Sequence, residues 1–281
     1  MLKEELFKTI DFVSSQSLKS RCVTNGYWGK TPAAAKKIAQ RLKQAGISEI
    51  NISTGLEHQE WVPESSVLNC AEALISEGIF TLITVEKDTE TSGCWKSLSQ
   101  NEMVLNMLKE HPLIFCLSSN SWMPFHSDAE ERSVGTGPGK TACDQLFSNL
   151  VITPYKKISA CCGLTFEHIP ELHVGRIDET SLQSAIQETA DDFLKIWLHI
   201  DGPAAIVKKI GSDSDIRRIN ETVHICQACA VLHQTPSIRS ALQERYTEFL
   251  PDVMAKFVFE KALRSMVDTA QTSLSIKKEV V

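Results

Sequence analysis

Between Leu2 and Ser119 helical and strand-like patterns alternate with short connections, and no other feature of the chain limits its fold so strongly. The segment LKEELFKTIDFVSSQ carries Leu2, Leu6, Ile10 and Val13 at helical spacing. SRCVTNG is a short β-type run halted by the turn pair Asn25-Gly26. Thr31-Pro32 supplies a cap and then a proline at the first helical position, which predicts a helix through PAAAKKIAQRLKQA to a stop at Gly46. SEINIST reads as a strand, and PESSVLNCAEALISEG as a helix from Pro63 to a stop at Gly78. IFTLITVEK, SQNEMVLNMLKEHP and LIFCLSS continue as strand, helix and strand. One helix followed by β-α-β-α-β-α-β predicts an α/β unit of parallel strands with right-handed crossovers. The strands are short and apolar, which predicts burial on both faces of the sheet.

Residues 120–142 are polar and rich in Gly and Pro, and read as a long loop or boundary. Beyond them LFSNLVITP and KKISACCG predict a hairpin around Pro154-Tyr155. DETSLQSAIQETADDFLKIWLHIDGP predicts one helix, capped by Asp178 or Thr180 and closed by Gly202-Pro203. Helical patterns then run to the end of the chain.

The 281 residues suffice for one large domain or a domain with an appendage. A formal charge of −6 gives no global field that would draw nucleic acid or an anionic membrane. No apolar run reaches the roughly 18 residues a membrane helix needs. The first segment has charges throughout and is not a signal peptide. Nine cysteines without such a signal predict reduced thiols and a cytoplasmic location.

Their spacing decides what those thiols can do. CQAC places Cys226 and Cys229 two residues apart near a helix start, which suits one metal or plain packing about equally; a redox pair belongs after a strand in a thioredoxin-like unit, and none is visible here. TACDQ and SACCG add Cys143 and the doublet Cys161-Cys162. One of the doublet with Cys143, Cys226 and Cys229 makes four soft ligands, enough for zinc or an iron–sulfur cluster. Cys22, Cys70, Cys94 and Cys116 have no partners at ligand spacing and read as core residues. Trp122, Phe193 and Trp197 read as packing residues too. GTGPGKT at 135–141 resembles a phosphate loop, but Val134 stands where its first glycine belongs and no strand precedes it; we read it as a plain loop.

A second cluster of polar residues lies at strand ends. Thr24, Asn25 and Tyr27 follow one strand, and Ser53, Thr54, Glu57 and His58 follow the next. Ligands of parallel α/β sheets bind at that end, because loop amides and polar tips converge there.

In order, VTNGYWGK, ISTGLEHQEWVP, CDQLFSNLVITPYKKISACCG, DDFLKIWLHIDGP and HICQACAVL resemble segments of the radical S-adenosylmethionine superfamily, in particular members with a SPASM or twitch-like auxiliary cluster. The resemblance implies the last four units of an incomplete six-unit (β/α) barrel over 1–125. A small hairpin and a mostly helical auxiliary-cluster region would follow over 126–281. It implies a 4Fe–4S auxiliary cluster on Cys143, Cys161 or Cys162, Cys226 and Cys229, and Asn25, Ser53 and His58 near bound S-adenosylmethionine. The family's CxxxCxxC loop and its Gly-Gly-Glu-Pro segment do not occur in these 281 residues. The expectation is therefore the C-terminal portion of such an enzyme, acting on a peptide substrate. It would bind and cleave S-adenosylmethionine only when an upstream segment or a complementary N-terminal chain supplies the missing part. The alternative is a non-catalytic protein, stabilised by zinc or iron–sulfur, that binds a peptide or partner. Neither reading involves nucleic acid or a membrane.

Overall fold

The computed structural model describes residues 3–86, 92–120, 142–222 and 224–279, with side chains described as far as Val267. The expected packing of Trp122 and the reading of GTGPGKT at 135–141 fall outside the described residues. The chain divides into two compact units, Met1–Val134 and Gly135–Val281. No helix among the described residues is long and apolar enough to cross a membrane.

In the first unit α1 (Glu4–Ser15) leads to β1 (Arg21–Thr24), α2 (Pro32–Ala45), β2 (Glu49–Thr54) and the short α3 (Leu56–Gln59). Then come α4 (Glu64–Ser76), β3 (Phe80–Glu86), α5 (Gly93–Ser99), α6 (Glu102–Glu110) and β4 (Phe115–Asn120). The punctuation residues act as expected. Thr31 Oγ1 accepts the Ala34 amide with Pro32 at the first helical position, and Gly46 ends α2 at φ 84°, a left-handed conformation that costs glycine little.

The four strands pair in the order β1-β2-β3-β4, all parallel, with β1 and β4 at the edges. One face meets the helices: Ile50, Ile52, Ile83 and Phe115 join Ala39, Leu42, Leu74, Leu98 and Val104 in a single core. The other face does not follow the expected burial on both sides. Val23, Asn51, Ser53, Leu82, Thr84 and Ser118 lie on it, all partly or fully exposed. The physical reason is composition: this face is largely polar, and Thr84 Oγ1 donates to Asn51 Oδ1 across 2.9 Å. Cys116, expected in the core, is exposed on the same face.

The second unit opens with a small antiparallel sheet of β5 (Val151–Ile152), β6 (Lys157–Ser159) and β7 (His173–Arg176) in that order. β5 and β6 form the expected hairpin around Pro154-Tyr155. The helices α7 (Leu182–Asp191), α8 (Phe193–Ile200), α9 (Pro203–Ile210), α10 (Asp213–Asn220), α11 (Ile225–Gln234) and α12 (Pro236–Glu279) complete the unit. The single helix expected across 178–203 is two helices. Asp192 breaks it: its carboxylate accepts the Lys195 amide and caps α8. The cap of α7 is Ser181, not Asp178 or Thr180. Asp178 is engaged by Arg176 instead. Trp197 is fully buried at the centre of a second core with Ile158, Ile206, Leu232 and Val253. Phe193 packs against that core, as expected.

Candidate metal centre

Cys143, Cys161, Cys226 and Cys229 line one small cavity of about 50 Å³ in the second unit, walled by apolar groups that include Leu146, Leu172, Leu198 and Ile225. Three different pieces of local structure deliver them. Cys161 follows β6, whose Ser159 Oγ donates to the Leu172 carbonyl and anchors the strand end. Cys226 and Cys229 lie in the first two turns of α11, which His224 caps by accepting the Cys226 amide at 3.1 Å. Cys143 is held through its backbone by the end of α8. Its N–H donates to the Leu198 carbonyl at 3.1 Å, and its own carbonyl lies 3.1 Å from His199 Nδ1.

The doublet is split by geometry. Cys161 is buried and faces the cavity, whereas Cys162 is exposed and donates to Gln145 Oε1 at 3.0 Å. Adjacent residues in extended chain point to opposite sides, so only one of the two can face inward.

Two backbone amides donate to sulfur here: Gly163 N–H to Cys161 at 3.1 Å and Leu164 N–H to Cys226 at 3.3 Å. Amide donors stabilise negative charge on sulfur and tune iron–sulfur centres. Gly163 has a steric role as well, since a Cβ there would stand 2.8 Å from the Cys226 sulfur and 3.2 Å from that of Cys161.

Burial acts against charge in this cavity. It pushes the Cys161 thiol up to about 12, with the neighbouring sulfurs of Cys143, Cys226 and Cys162 adding to the rise and the Gly163 amide opposing it. Cys229 is raised well above the ordinary thiol range by burial, then by Cys161, Cys143 and Cys226. Cys226 moves the same way for the same leading cause. Cys161, Cys226 and Cys229 thus resist ionisation until a cation neutralises them, which couples metal uptake to proton release. Among the described residues no three His, Cys, Asp or Glu side chains draw together tightly enough to clasp a bare ion. The four sulfurs stand instead around the cavity.

His199 was not singled out by the sequence reading. It is buried between Phe147 and Phe257, with Nε2 3.1 Å from both Glu260 carboxylate oxygens. It therefore ties Cys143 to α12.

The other candidates remain in the first unit. Asn25 follows β1 and its Oδ1 accepts the Tyr27 amide at 3.1 Å, an ordinary turn bond. Ser53 sits near the end of β2, opposite Thr84 of β3 on the exposed face. His58 lies in α3, its pKa lowered by burial and partly restored by Glu57. All three occupy the carboxyl end of the parallel sheet.

No protein-family model matches the chain, and no curated protein matches it with significant similarity.

Proposed function

We propose that the chain is the C-terminal portion of a radical S-adenosylmethionine-type enzyme, in which Cys143, Cys161, Cys226 and Cys229 hold an auxiliary 4Fe–4S cluster. One observation carries this reading: four thiols line a single apolar cavity, and backbone amides donate to two of their sulfurs. Four thiolates are the ligand set of such a cluster, and sulfur-directed amides are part of its surroundings. When bound, the cluster supplies a centre for electron transfer or for holding a peptide substrate. The residues themselves exclude water from the cavity, fix the sulfur positions and give up their protons.

The four parallel βα units are read as part of an incomplete six-unit barrel. Its support is the single helix layer and the largely polar opposite face, which would be the barrel lumen. Asn25, Ser53 and His58 would then face S-adenosylmethionine from the strand ends. Reductive cleavage of that molecule needs a CxxxCxxC loop, absent from these 281 residues, so it must come from beyond them. The outer edge of β1, unpaired among the described residues, is a natural place for a complementary strand.

Anaerobic purification followed by iron, sulfide and zinc analysis tests the cluster. A brown protein with about four irons per chain is expected, lost on Cys161→Ala or Cys226→Ala. A colourless chain with one zinc would overturn the cluster and leave a metal-stabilised binding protein. Co-expression with the upstream reading frame should restore S-adenosylmethionine cleavage; its absence would remove the enzymatic reading.

A further inference from the structure

The second unit has a larger cavity than the one lined by cysteines. It is an open groove of about 630 Å³ lined mainly by apolar surface, with Phe193, Trp197 and Tyr246 among its lining residues. That volume is in the range of sites that receive a small organic ligand or a few peptide side chains. Trp197 is fully buried and so forms its floor, whereas Tyr246 is 41% exposed and stands at its mouth. The ring of Phe193 lies 5.6 Å from that of Trp197 and 6.0 Å from that of Tyr246, which makes the wall a continuous aromatic surface.

The polar part of the lining has one sign. Glu188, Asp191 and Asp192 contribute carboxylates, and no lysine or arginine lines the cavity among the described residues. Asp192 is neutralised by the buried ammonium of Lys195. Asp191 accepts only from the neutral amide of Gln187, at 2.9 and 3.0 Å, among its hydrogen bonds. Two carboxylates therefore remain to set the potential at the rim. Aromatic rings attract cations through their faces, so an aromatic and acidic lining together favour a cation with an apolar body.

We propose that this cavity binds a peptide segment carrying an arginine or lysine beside an apolar residue. The apolar residue packs on Phe193 and Leu242, above the buried Trp197. The cationic head stays at the mouth, against Tyr246 and the Glu188 and Asp191 carboxylates. The proposal stands on this cavity alone and does not depend on what the cysteines hold.

Isothermal titration of the full chain with acetyl-Leu-Arg-Leu-amide and its Leu-Gln-Leu counterpart tests it, with tryptophan fluorescence as a second signal. The arginine peptide is expected to bind about tenfold more tightly, the worth of two partly exposed charge pairs. The preference should shrink as salt is raised. Glu188→Gln combined with Asp191→Asn should abolish the preference while leaving the glutamine peptide unaffected. Tyr246→Phe should keep it and Tyr246→Leu reduce it, with circular dichroism confirming that each variant is folded. Equal affinity for the two peptides, or no binding of either at millimolar concentration, would overturn the proposal.

Discussion

The two units place the same side chain in different company. In the first, Cys70 donates to the Gly26 carbonyl at 3.3 Å, with a Gly29 backbone bond also acting on its sulfur, and Cys94 donates to Gln59 Oε1 at 3.5 Å. In the second, the Gly163 and Leu164 amides donate to the sulfurs of Cys161 and Cys226. A carbonyl only accepts and an amide N–H only donates, so the partner fixes the direction of each bond. Burial does not separate the two groups, because Cys70 and Cys161 are both buried. Company does: among the described residues no other cysteine acts on the Cys70 charge, whereas three others act on that of Cys161. Cys162 lies beside the cavity residues in sequence yet donates to Gln145, as a thiol of the first unit would.

The contrast is broken most directly by metal analysis of cysteine variants. Alanine at Cys143, Cys161, Cys226 or Cys229 should abolish stoichiometric iron, while Cys70→Ala, Cys94→Ala and Cys162→Ala should retain it. Iron lost equally from both sets would erase the distinction. A smaller effect is expected from core truncation: Leu74→Ala removes a fully buried side chain and should cost about 2–5 kcal/mol in denaturant unfolding, without changing the metal ligands. Two of the crowded glycines sharpen the contrast further. A Cβ at Gly29 would stand 2.2 Å from the Ser66 carbonyl, so Gly29→Ala should destabilise the fold by about 1–3 kcal/mol. Gly163→Ala should chiefly lower iron content, because the nearest atoms there are two sulfurs.

The smallest effect concerns the capping box of α10. Asp215 is penalised by burial, but bonds from Ser212 and Ser237 and the charge of Arg218 outweigh that and hold its carboxyl below the usual range. Its contribution is therefore present above the ordinary carboxylate value of about 4 and lost as pH falls through the lowered value. Asp215→Ala should cost about 1 kcal/mol at neutral pH, and the gap from the parent should close in acid.

The main order of elements in the first unit was legible because proline, glycine and cap residues mark most boundaries there, although the short helices α3 and α5 were not foreseen. Burial on a single face was not. Asn51, Ser53 and Thr84 alternate with Ile50, Ile52 and Ile83, yet the apolar half of each strand dominated the reading. The break at Asp192 hides behind a helical pattern, and a capping aspartate looks the same as one on a solvated face until the Lys195 amide is located. The gathering of Cys143, Cys161, Cys226 and Cys229 was legible as a set of residue types. The choice of Cys161 over Cys162 depends on which way the chain leaves β6. His199 could not be read at all, because its meaning rests on Glu260, far away in sequence.

That last contact has a mechanical consequence. Arg264 grips Glu260 at 2.6 Å, Glu260 meets the His199 ring, and the ring holds the carbonyl of Cys143. A push or twist on the 44-residue rod Pro236–Glu279 is thus delivered through three side chains to the residue bearing one of the cavity sulfurs.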